Sequence, residues 1–140
     1  MVRILPFQGI YTGSSPVGVT TIFFDMLTEV NDNSIEEEVY RSNRPVFVAF
    51  LADWCWVCDK FRPELEAAAH EMKDVVKFCF VNIDRSPDSK AYFGIDGTPR
   101  SILFDDGREV ATLRGGWPTA DVLKFISENL GGDRAKPTPT

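Results

Sequence analysis

Hydrophobic positions along the chain fall into two rhythms: short unbroken runs, and longer stretches spaced three or four apart. The first reads as buried strands and the second as helices. Val46–Leu51 (VFVAFL) is an uninterrupted apolar run introduced by Pro45, as a parallel strand covered on both faces requires. Residues 75–83 (VVKFCFVNI) read as a further buried strand, and 21–30 (TIFFDMLTEV) as a first strand ahead of both. Ser34 followed by Glu37 has the spacing of a capping box and predicts a short helix over 35–41. Val57, Phe61, Leu65, Ala68 and Met72 predict a helix over about 55–72, kinked at Pro63, whose ring clashes with the carbonyl four residues back. A short helix is expected over 87–93. Strands over 101–104 and 108–114 flank Asp105-Asp106-Gly107, a hairpin turn signal. The last helix is predicted over 119–130, with Val122, Ile126 and Leu130 on one face and Gly131 as its stop.

Strands and helices alternate in the front half, and a hairpin closes the back half. That order predicts an α/β fold with a mixed central sheet flanked by helices on both faces. Residues 1–20, rich in Gly, Pro, Ser and Thr, read as an N-terminal extension, 21–131 as the domain, and 132–140 as a flexible tail.

Composition narrows the functional classes. The chain has 140 residues, enough for one domain that folds without a disulfide or metal staple. Its net charge of −6 argues against a nucleic-acid partner and against docking on anionic lipid. No run approaches the length of a membrane span. The N-terminus is a poor signal peptide, its apolar patch broken by Pro6 and Gly9, which favours a cytoplasmic location. A periplasmic or other extracytoplasmic location stays open if a leader has been removed.

Cys55 and Cys58 carry the chemistry. They form a C-x-x-C where a buried strand hands over to a helix. The first helical turn has unpaired N–H groups and the positive end of the macrodipole, so it favours an anion. Only the thiolate attacks a disulfide. A free thiol of pKa about 8.5 is a few per cent ionised at neutral pH, and each unit of depression corresponds to about 1.4 kcal/mol. Cys55 is therefore expected to attack, and Cys58, one turn in, to resolve. Zinc needs four ligands, and only Cys79, in mid-strand, and His70 remain as soft partners. No metal and no bound cofactor are expected, although metal binding through the C-x-x-C stays open as an alternative.

Ala52-Asp53-Trp54-Cys55-Trp56-Val57-Cys58 resembles the A-x-W-C-x-x-C motif of the thioredoxin family. Pro63 matches that family's kinking proline, Asn82-Ile83-Asp84 its N-I-D strand end, and Thr98-Pro99 its cis-proline segment. Asp106-Gly107 and Gly115 fall where the family has its turn and late glycines. The resemblance spans about residues 25–130. It implies a thioredoxin fold and a protein disulfide oxidoreductase, with a disulfide-containing protein as substrate and an upstream reductase as electron donor. It also implies a cis Thr98–Pro99 bond facing the cysteines. Trp54, Trp56, Val57, Thr98, Pro99, Arg100 and Trp117 are the candidate substrate-binding residues, and the working unit is expected to be a monomer. A non-catalytic adaptor using Trp56 and Trp117 to hold one partner is the alternative from another class.

The departures from the family are informative. The family usually carries a buried Asp six residues before the first cysteine, often paired with a Lys two residues before the N-I-D asparagine. Here those positions are Ala49 and Phe80, so proton removal from Cys58 is expected to be slower. The intervening Trp56-Val57 has no His to lower the Cys55 pKa, and Asp53 is expected to raise it slightly, which favours a reductase over a strong oxidant. The pair is locally similar to the C-terminal domain of the membrane thiol:disulfide interchange reductase.

Overall fold

The computed structural model describes residues 27–130. The proposed extension 1–20, residues 21–26 of the first strand, Gly131 and the tail 132–140 lie outside the described residues. The elements are β1 (Leu27–Val30), α1 (Glu36–Tyr40, wound as a π-helix), β2 (Val46–Leu51), α2 (Trp56–Glu71), β3 (Lys77–Asn82), α3 (Pro87–Tyr92), β4 (Arg100–Asp105), β5 (Arg108–Arg114) and α4 (Thr119–Leu130).

The five strands form one sheet in the order β1-β3-β2-β4-β5. β1, β3 and β2 run parallel, while β4 and β5 are antiparallel. The turn between β4 and β5 uses positive φ at Asp106 (59°) and Gly107 (78°), the conformation that an Asp-Gly pair supplies in a tight hairpin.

Strand alternation sorts the core into two halves. Phe47 packs on Phe125 of α4, while its neighbour in register, Phe78, lies beside it. Phe50 and Phe104 face the other way, onto Phe93 after α3, and Phe104 also meets Tyr40 of α1. Helices thus cover both faces. Each fully buried Phe or Leu contributes roughly 1.5–3 kcal/mol relative to exposure. All of β2 is buried, as its unbroken apolar run requires.

The cap of the first helix and the start of β3 differ from expectation. Ser34 does not cap the first helix. Its hydroxyl accepts the Asn31 N–H at 3.0 Å, and the Asn31 side chain accepts from the N–H groups of Asn33 and Ser34 at 2.8 and 3.2 Å. β3 begins at Lys77 rather than at residue 75, because the N–H groups of Val75 and Val76 still close the end of α2 on the Met72 carbonyl, at 2.9 and 2.8 Å.

Candidate active site

β2 ends at Leu51, and the chain turns through Ala52, Asp53 and Trp54 before α2 begins. Cys55 sits at the cap rather than inside the helix. Its backbone is extended (φ −102°, ψ 107°), and its Sγ accepts the Cys58 N–H at 3.1 Å. That is the task an N-cap Ser or Asp oxygen usually performs, carried out here by sulfur.

The cap sets the chemistry of the sulfur. Burial pushes the Cys55 thiol up, but hydrogen bonds from the Cys58 thiol, the Thr98 side chain and the N–H groups of Cys58 and Val57 outweigh it, and the net shift is downward. The buried Thr98 hydroxyl has no partner at ordinary hydrogen-bond distance, so the 3.1 Å contact to the Cys58 N–H is the firmer contribution. Cys58 moves oppositely: burial, and then its hydrogen bond to Cys55, push it up to about 11. One sulfur is primed to ionise, and its neighbour holds its proton. Asp53, expected to raise Cys55, is not among the groups that shift it. Its carboxylate accepts from Asn82 Nδ2 at 2.7 Å and pairs with Arg85 at 3.5 Å, which offsets its charge.

The Thr98–Pro99 bond is cis, as the resemblance implies, and the Thr98 carbonyl lies 3.7 Å from the Cys55 sulfur. Pro99 is buried, and its carbonyl accepts the Gly115 N–H at 2.9 Å. Arg100 spends its contacts on the preceding loop: it donates to the Gly94 carbonyl at 3.2 Å and pairs with Asp96 at 3.9 Å. A Cβ at Gly116 would stand 3.2 Å from Val57 Cγ1, so glycine lets this loop lie directly against the first turn of α2. Trp117, next in the loop, donates from Nε1 to the Arg114 carbonyl at 2.7 Å. The three tryptophans are exposed, Trp54 by 72%, Trp56 by 67% and Trp117 by 42%. Trp56 lies under the Lys60 ammonium at 5.7 Å.

Three supporting residues are not among the candidate substrate-binding or catalytic residues read from the sequence. Asp84 accepts from Trp54 Nε1 at 3.3 Å and from the Asp53 N–H at 3.1 Å, which fixes the loop before Cys55. Asn82 ties its other side chain atom to the Asp84 N–H at 2.9 Å. Glu64 of α2 accepts from the Thr119 N–H and hydroxyl at 2.8 and 2.6 Å, joining the reactive helix to the start of α4. The N-I-D strand end signals the first two, whereas nothing local signals a link between residues 64 and 119.

The arrangement suits thiol–disulfide exchange: a sulfur whose thiolate is favoured by hydrogen bonds at the N-terminal cap of a helix, a partner one turn in whose pKa is pushed up, and exposed aromatic surface around them. Among the described residues, no three of His, Cys, Asp and Glu converge as metal ligands, and no helix is long and apolar enough to cross a membrane.

The thioredoxin family model matches residues 26–128. The chain is 32% identical over 104 residues to the thioredoxin of Pseudomonas aeruginosa, covering 74% of this chain and 96% of that one. It is 35% identical over 106 residues to the thioredoxin of Acidithiobacillus ferridurans, covering 76% and 98%. With the thioredoxin of Rhodospirillum rubrum it shares 32% over 104 residues, covering 74% and 100%.

Proposed function

The chain belongs to the thioredoxin family and is a thiol–disulfide oxidoreductase; on that premise we propose that it reduces protein disulfides, with Cys55 attacking and Cys58 resolving. The Cys55 thiolate forms a bond to one substrate sulfur, and the substrate S–S bond breaks, releasing a thiolate that takes up a proton. Cys58 then attacks the Cys55 sulfur, the mixed disulfide breaks, and the enzyme is left oxidised with both substrate sulfurs reduced. A partner reductase returns the pair to dithiol.

The observation that carries this reading is the Cys55 sulfur accepting the Cys58 N–H at 3.1 Å in the cap position of α2. The direction rests on the same contacts. Every group that lowers Cys55 is a neutral hydrogen-bond donor, and a thiolate held without a full positive charge is stabilised less than that of a strong oxidant. The Thr98 backbone, held beside Cys55 by the cis bond to Pro99, is where a substrate strand can pair, with Trp54, Trp56, Val57 and Trp117 as apolar contacts. Arg100 serves as the brace of the 94–96 loop that leads into this segment. Both sulfurs and the side chains around them belong to one chain, which supports a monomer as the working unit, with residues 21–131 as its domain.

A Cys58→Ser variant incubated with oxidised insulin should accumulate a mixed disulfide through Cys55. Failure to form any adduct under conditions where free glutathione does so would refute the reading.

A further inference from the structure

Resolution requires Cys58 to lose its proton, and the surroundings hold it back. The residue is only 2% exposed. Ala49 on β2 and Phe80 on β3 are paired in register beneath the site and offer no acceptor. A small recess of about 70 Å³ nevertheless opens at Cys58, lined by Asp53, Asp59, Arg62, Phe80 and Asn82 with the end of β2. At about 30 Å³ each, one or two waters fit there. The recess is charged although the strands beneath it are not: Arg62 of α2 lays its guanidinium over the Phe80 ring, 4.3 Å from the ring centre.

Two carboxylates reach this space. Asp53 is committed elsewhere, to Asn82 at 2.7 Å and Arg85 at 3.5 Å. Asp59 follows Cys58 directly in the first turn of α2, and among the described residues no hydrogen bond or ion pair engages its carboxylate. We propose that Asp59 receives the Cys58 proton through water held in this recess, so that the proton acceptor for resolution sits on the helix rather than under it. The proposal rests on the assignment of Cys58 as the resolving thiol. As the Cys58–Cys55 bond forms and the Cys55–substrate bond breaks, the proton passes from Cys58 through water to Asp59, and then to solvent or the departing thiolate. Asp59 is a positioning and proton-accepting group and makes no contact with the reacting bond.

The groups lining the recess that ionise or carry charge are Asp53, Cys58, Asp59 and Arg62, while Phe80 and Asn82 of β3 are uncharged. With 5,5′-dithiobis(2-nitrobenzoate), the reduced protein releases one coloured thiolate on attack by Cys55 and a second on resolution. Stopped-flow absorbance separates the two phases. Asp59→Asn should slow the second phase about a hundredfold at neutral pH, the low end of proton-transfer catalysis, and leave the first phase unchanged. The gap should close as pH rises and Cys58 ionises unaided. Asp59→Glu should restore the second phase. A second phase unaltered by Asp59→Asn, an equal slowing of both phases, or a Glu variant as slow as the Asn variant would each overturn the proposal. If no second thiolate is released even by the unmodified protein, the assignment of Cys58 itself fails instead.

Discussion

Cys55 and Cys79 are both buried thiols, 7% and 1% exposed, yet their chemistry runs in opposite directions. Cys79 lies mid-strand in β3 and pairs in register with Val48 of β2. There burial dominates over the charges of Lys77, Glu38 and Arg44, and its thiol is pushed up to about 12. Cys55 also suffers burial, but hydrogen-bond donors more than offset it. Backbone position separates them. A strand commits its N–H groups to neighbouring strands, whereas the first turn of a helix leaves them available to a side chain. Burial alone pushes a thiol up, and hydrogen-bond donors at a helix cap bring a buried one down.

Replacing each sulfur in turn gives the widest contrast. Cys55→Ser should abolish insulin disulfide reduction, because a serine hydroxyl forms no disulfide. Cys79→Ala should leave the reduction rate within about twofold, since its thiol is not a nucleophile at working pH. A large loss of rate in the Cys79 variant, with folding intact, would break the contrast.

A smaller effect tests how the loop of Trp117 is held against the reactive turn. Gly116→Val adds branched bulk where a single Cβ already meets Val57 at 3.2 Å. It should destabilise the fold by about 1–3 kcal/mol, read from urea unfolding, as overpacked contacts do. No change in the unfolding midpoint would show that the loop yields freely.

Smaller again is the tie between α2 and α4. Thr119→Ala removes the hydroxyl contact to Glu64 and should cost about 1 kcal/mol at neutral pH. The hydrogen bond from the Thr119 side chain is the largest cause holding the Glu64 carboxyl below its usual value. A carboxyl lowered in the folded state stabilises above its unfolded pKa and loses that contribution as pH falls through the folded one. The difference between the variant and the parent should therefore shrink in acid. A gap that persists unchanged well below pH 4.3, the ordinary Glu value, would point to packing instead.

Much of this was readable in advance, and for identifiable reasons. The unbroken run Val46–Leu51, the Val122-Ile126-Leu130 face and the Asp106-Gly107 turn are local signals, and the structure keeps them. The C-x-x-C is a local signal, and the helix expected from about Cys55 begins at Trp56 because Cys55 caps it through sulfur, which is not among the usual capping atoms. Ser34 and Glu37 had the right spacing for a capping box and lost to Asn31, whose side chain reaches two N–H groups at once. The Glu64–Thr119 link and the recess beside Cys58 join residues distant in sequence. No local pattern encodes them until the sheet has brought them together.

The most direct measurement is the pH dependence of iodoacetamide labelling of the reduced protein, followed for each cysteine by mass spectrometry of its peptide. Cys55 should label with a midpoint below that of free cysteine, about 8.5. Cys58 should label well above it, and Cys79 only once the protein unfolds. A Cys55 midpoint at or above the free-cysteine value would contradict the claim that the helix cap makes this sulfur reactive.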